Sequence, residues 1–120
     1  ELGEFDKIAA LGLLEQGAFK RHYIMVSDAM RRYIERRYAI EAMERTTWEI
    51  LSEMNNSRMD PVTVAKFDGF LSNCDLVKFA KLIPPKDEME EVIDRAKDVV
   101  KETMHLPEGD AAKSLVQNRP

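Results

Sequence analysis

Apolar residues recur at steps of three and four along most of this chain, the spacing that gathers them on one side of an α-helix. The clearest case is the run FKRHYIMVSDAMRRYIERRY. Phe19, Tyr23, Val26, Met30 and Tyr33 converge on one face, while Arg21, Asp28, Arg32 and Glu35 fall on the other, which predicts a long helix over about 18–37. Ahead of it, Phe5, Ile8, Ala9, Leu13 and Leu14 predict a short helix over 4–16, with Gly17 where a left-handed C-terminal cap belongs. Thr46 followed by Glu49 predicts a third helix over 47–55, since that spacing lets each side chain satisfy an orphan amide at a helix start. Asp60 as N-cap and Pro61 as first helical residue open a fourth, which runs to about Leu82 and is stopped by Pro84 and Pro85.

A fifth helix is predicted over 86–104, with Met89, Val92, Ile93, Ala96, Val99 and Val100 on one stripe and Asp87 and Glu88 at its positive end. Residues 105–120 hold two prolines, a glycine and few apolar groups, too little to offset their ordering entropy, and they read as a flexible tail. The fold expected is therefore all-α: one compact bundle of four to five helices over 1–104, followed by that tail. Helix four stands apart. Phe67, Phe70, Leu71, Cys74 and Val77 form one apolar stripe, and Leu76, Phe79, Ala80 and Ile83 begin a second further round. Two stripes predict burial on two sides, as the central helix covered by helices two and five, with Phe79 structural. The other reading makes the second stripe a partner surface.

Composition agrees with one helical domain, because 120 residues can own a core and the 44% hydrophobic content argues against wholesale disorder. The net charge of −4 hides an uneven distribution. Residues 18–38 carry six Lys/Arg against two acids, whereas 1–17, 39–60 and 86–102 are each at −3. A lone cysteine, Cys74, excludes an intrachain disulfide and fits a core position. No apolar run is long enough to span a membrane, and a start at Glu1 without Met reads as a piece of a longer protein.

Candidate chemistry is sparse. Cys74 lies inside an apolar helix, and His22 and His105 lack any recognisable pairing, so no activated nucleophile is apparent and no enzyme is expected. The acidic run Asp87, Glu88, Glu90, Glu91 and Asp94 has neither a histidine at helical ligand spacing nor an EF-hand glycine, so no metal or other cofactor is expected. The arginines carry more. Arg31, Arg32 and Arg36 are candidates for binding phosphates, anionic lipid or acidic groups on a partner, although Glu35 and Asp28 nearby also suit a solvated face. Arg37 continues the stripe of Met30 and Tyr33, where a charge needs a partner, and Asp75 on helix four is the candidate. Thr46, Glu49 and Tyr33 read as structural.

Two motif groups, SDAMRRYIERRYAIEAMERTTWEIL and FLSNCDLVKFAKLIPPKDEMEEVIDRAKDVVKET, resemble the cytoplasmic region of membrane proteins from aerotolerance-type (Bat) operons. Arg31, Tyr33, Glu35, Arg37 and Tyr38 match its first helix, Ala42, Glu44, Thr46, Thr47 and Glu49 the next segment, and Asp75 through Lys81 a later one. The likeness spans roughly 15–103, leaving the tail unmatched. It implies a non-catalytic adaptor domain on the cytoplasmic face of the inner membrane, anchored by a segment outside this chain. It also implies a protein partner, either a MoxR-type AAA+ ATPase or a von Willebrand A-domain protein. From the residues alone, the alternative is a small helical nucleic-acid-binding or regulatory module using the basic helix 18–38, which the acidic flanks disfavour.

Overall fold

The structure, a computed structural model, describes residues 2–104. Five helices lie in the expected order: α1 at Leu2–Ala10, α2 at Phe19–Tyr38, α3 at Thr47–Asn56, α4 at Pro61–Phe79 and α5 at Lys86–Met104. No strand occurs among the described residues. The tail expected over 105–120 lies outside them.

Two helices stop earlier than their apolar spacing predicts, and each stop has a backbone cause. α1 ends at Ala10, not at residue 16, because the chain enters the left-handed region at Gly12, with φ of 64°. A separate turn follows and closes at Gly17, φ 76°, with Gly17 N–H donating to Leu14 C=O at 3.1 Å and Ala18 N–H to Leu13 C=O at 2.8 Å. Gly17 thus caps as expected, but it caps this extra turn. α4 ends at Phe79, short of Leu82. Lys81 takes a φ of 61°, and the Leu82 N–H turns back to Leu76 C=O at 3.0 Å. Ile83 precedes Pro84, which disfavours the helical conformation there.

The α2 stripe does build the core. Tyr23, Val26, Met30 and Tyr33 are buried with Ile34 of the same helix, together with Phe67, Leu71, Val77, Val92, Ala96 and Val100 from α4 and α5. Tyr33 exchanges a 2.7 Å hydrogen bond with Thr103 Oγ1, and its ring sits 6.3 Å from that of Phe67, so one side chain ties α2 to both α5 and α4. Lys97 to Asp6 and Lys66 to Glu102 add ion pairs at the surface, where each contributes little. α4 packs against α2, α3 and α5.

α3 is the outlying helix, since among the helices it packs on α4 alone and buries only Thr47, Ile50 and Met54. Its start is secured locally. Glu49 N–H donates to Thr46 Oγ1 at 3.1 Å and Thr46 N–H donates to Glu49 Oε1 at 2.9 Å, the reciprocal cap the sequence predicts. Those bonds from Thr46 hold the Glu49 carboxyl below the usual range. Thr46→Ala is expected to lower stability by about 1 kcal/mol in urea unfolding; an unchanged midpoint would show the cap to be idle.

Candidate functional site

The loop between α2 and α3 has no ladder to satisfy its backbone, and two charged residues one turn apart on α2 supply the missing partners. Glu35 Oε2 accepts from the amides of Ala42 at 2.9 Å and Met43 at 3.0 Å. Arg31 works in the opposite sense. Its Nη1 donates to the carbonyl oxygens of Ala42, at 3.0 Å, and of Arg45, while its Nε and Nη2 make longer 3.4 Å contacts to Ser27 Oγ and Thr47 Oγ1 respectively. Ala42 is therefore gripped at both its N–H and its C=O. The amides of Ala42 and Met43, ahead of the nearby arginines, hold the Glu35 carboxyl below its ordinary range. A depressed carboxyl stabilises the fold above the unfolded-state value, and that contribution is lost as pH falls through the lowered one.

Pinned in this way, the loop delivers Thr47 to α4, where its Oγ1 donates to Asp75 Oδ2 at 2.6 Å. α3 thus begins level with Asp75. α4 continues for another turn beyond that level, and although Val77 stays buried there, the outer apolar side chains of this turn and of the segment after it are left open. Phe79 is 74% exposed, Ile83 71% and Leu76 49%. Trp48 is 75% exposed and shares with Phe79 a surface hollow of about 550 Å³, whose margin includes Asp28, Glu44, Asp75 and Lys78. Two large rings this open present on the order of 300 Å² of apolar surface, the scale of a functional patch on a small protein.

The arginines expected to meet a partner are largely engaged within the domain. Arg31 is a correction: it is 5% exposed and serves the loop. Arg32 Nε stands 3.0 Å from Glu4 Oε1 and Arg36 Nη2 3.8 Å from Glu4 Oε2, so both half-exposed side chains lean on α1. The expected Arg37–Asp75 pair does not form either. α2 and α4 run antiparallel with Tyr33 beside Phe67, which leaves Asp75 eight residues further along α4, about 12 Å in axial rise. Arg37 instead lies over the Tyr38 ring at 5.0 Å.

Phe79 is the other correction. Expected to be structural, it is instead largely exposed, because α3 is ten residues long and α4 nineteen. Tyr33 is bonded to Thr103 in the core, and Thr46 and Glu49 form the cap at the start of α3. Trp48 was missed, although its signal lay in the chain. Thr47, Ile50 and Met54 define the buried stripe of α3, and Trp48 is one residue off it.

Two titratable groups elsewhere, Cys74 and His22, are withdrawn from solvent. Burial pushes the Cys74 thiol up to about 12, far from a thiolate at neutral pH. His22, 4% exposed, borders a second hollow of about 260 Å³ with Glu15, Glu90, Asp94 and Lys97, and desolvation lowers its pKa. Among the described residues no group of three or more His, Cys, Asp or Glu is placed to hold a metal ion, and no helix is long and apolar enough to cross a membrane.

Comparison with family models, with curated proteins and with solved structures gave no match to this chain. The likeness to Bat-operon proteins accordingly stands on the motifs alone. Within them, Arg31, Glu35, Ala42, Thr46, Thr47, Glu49 and Asp75 belong to one hydrogen-bonded unit around the start of α3. Thr47→Val and Asp75→Asn are therefore expected to be non-additive in denaturant unfolding, whereas Arg37→Ala and Asp75→Ala add to within about 0.5 kcal/mol. Coupling confined to the Arg37 cycle would restore the original pairing.

Proposed function

We propose that this chain is a non-catalytic protein-interaction domain that docks through the exposed Trp48–Phe79 face. The observation that carries it is the exposure of two aromatic side chains on one hollow, in a domain whose other large aromatics are mostly buried. Aromatic residues dominate binding hot spots because they bring much contact area at small entropic cost. The loop clamp and the cap hold α3 in place before any partner arrives, which lowers the cost of association.

The resemblance gives this module its setting: an adaptor on the cytoplasmic face of the inner membrane, anchored through a segment outside the chain. Its partner would be a MoxR-type AAA+ ATPase or a von Willebrand A-domain protein. A buried Cys74, raised to about 12, supports the non-catalytic reading by leaving the one thiol without nucleophilic character at neutral pH. The nucleic-acid alternative gains less, since it needs a row of accessible cations on 18–38, and Arg31 is buried while Arg32 and Arg36 lean on Glu4.

The test is binding of a purified MoxR-type ATPase and a purified von Willebrand A-domain protein to the wild-type chain and to Trp48→Ala/Phe79→Ala. The wild type is expected to bind one of them, and the double variant to bind at least about tenfold more weakly with an unchanged thermal midpoint. Absence of wild-type binding to both, or equal binding by the variant, would contradict the proposal.

A further inference from the structure

We infer that the Trp48–Phe79 hollow receives a cationic side chain, an arginine or lysine carried on a short apolar-flanked segment of the partner. The inference rests on the docking reading above and adds the chemistry of the occupant.

Charge complementarity is the main argument. Of the six charged side chains that border the hollow, Arg31 is engaged by loop oxygens and Arg45 by Glu53 at 3.2 Å and Glu41 at 3.5 Å, while Lys78 keeps its charge and lies over the Phe79 ring at 5.1 Å. The carboxylates of Asp28 and Glu44 have no hydrogen-bond or ion-pair partner among the described residues. The segment 39–60, to which Glu44 belongs, carries five acids against two bases. An arriving anion would meet this excess, whereas an arriving cation would neutralise it.

The aromatic walls point the same way, because a guanidinium or ammonium group is attracted to the face of an indole or phenyl ring, most strongly to Trp. Phe79 already holds the Lys78 ammonium over its ring, and most of its surface remains open. The exposed Leu76 beside Phe79 suits apolar residues flanking the cation. Size then selects a segment over a second copy of the domain. The two rings offer on the order of 300 Å², against roughly 800 Å² per partner in a standard interface between folded proteins. An anionic lipid surface is disfavoured by the same carboxylates.

Trp48 is the single tryptophan of the chain, so its emission reports the site directly. The full chain is titrated with a tryptophan-free peptide, Leu-Leu-Arg-Leu-Leu flanked by serines, and with the same peptide bearing citrulline, which keeps the shape of arginine without its charge. The arginine peptide is expected to blue-shift Trp48 emission saturably and to bind about tenfold more tightly than the citrulline peptide, with the gap narrowing at high salt. Asp28→Asn/Glu44→Gln should erase the difference, and Phe79→Ala should weaken both peptides. Equal binding of the two peptides would overturn the cationic inference and leave apolar docking intact. Binding of neither, an emission shift on raising the protein concentration alone, or a shift only with phosphatidylglycerol vesicles would also overturn it. Loss of the ATPase and A-domain interaction with peptide selectivity retained would instead count against the identity of the partner.

Discussion

Arg31 and Glu35, one helical turn apart on α2, grip the connection to α3 through opposite ends of its peptide groups. That grip matters because α3 packs on α4 alone among the helices, and its ten residues bury few side chains of their own. Hydrogen bonds from the buried Arg31 guanidinium to the loop carbonyls are charge-assisted and contribute about 1.5–3 kcal/mol each, more than the roughly 1 kcal/mol that the short helix gains from its cap. Removing the buried guanidinium would leave the Ala42 and Arg45 carbonyls short of a donor as well as losing its attraction. The position of Trp48 follows from this clamp and not from packing of the indole itself, which is three-quarters exposed.

From the clamp the exposed face follows by length. Thr47 is set against Asp75, so α3 can cover α4 only up to that level, and the final turn of α4 projects past it with Leu76 and Phe79 uncovered. Leaving this apolar surface in water is unfavourable by roughly 25 cal/mol per Å², a sum that no contact among the described residues recovers and that a docked partner segment would. The basic helix, by contrast, spends its arginines on the domain: Arg31 on the loop, Arg32 and Arg36 on α1. Recognition in this account therefore moves from the arginines of α2 to the aromatic end of α4.

The helices were legible in the chain because their causes are local. Three-and-four spacing, the Thr46–Glu49 cap and the Asp60–Pro61 start each act within a few residues, and all appear in place. Helix ends were less so, since Ala39, Arg58 and Lys81 adopt the left-handed conformation without the glycine that usually announces it. Arg31 was legible as a charge but not as a clamp, because its partners lie 11 to 16 residues away across a loop whose path no periodicity encodes. Phe79 was misplaced for a related reason: two apolar stripes reveal that a helix could be covered on two sides, while coverage depends on the length and register of its neighbour.

Amide hydrogen exchange at Ala42 and Met43 tests the clamp most directly, measured at neutral pH in the wild type and in Glu35→Gln. The account predicts slow exchange of both amides in the wild type, and faster exchange in the variant that spreads through α3 while α2 and α5 stay protected. Rapid exchange at both positions in the wild type, or protection in α3 that is indifferent to the substitution, would contradict it.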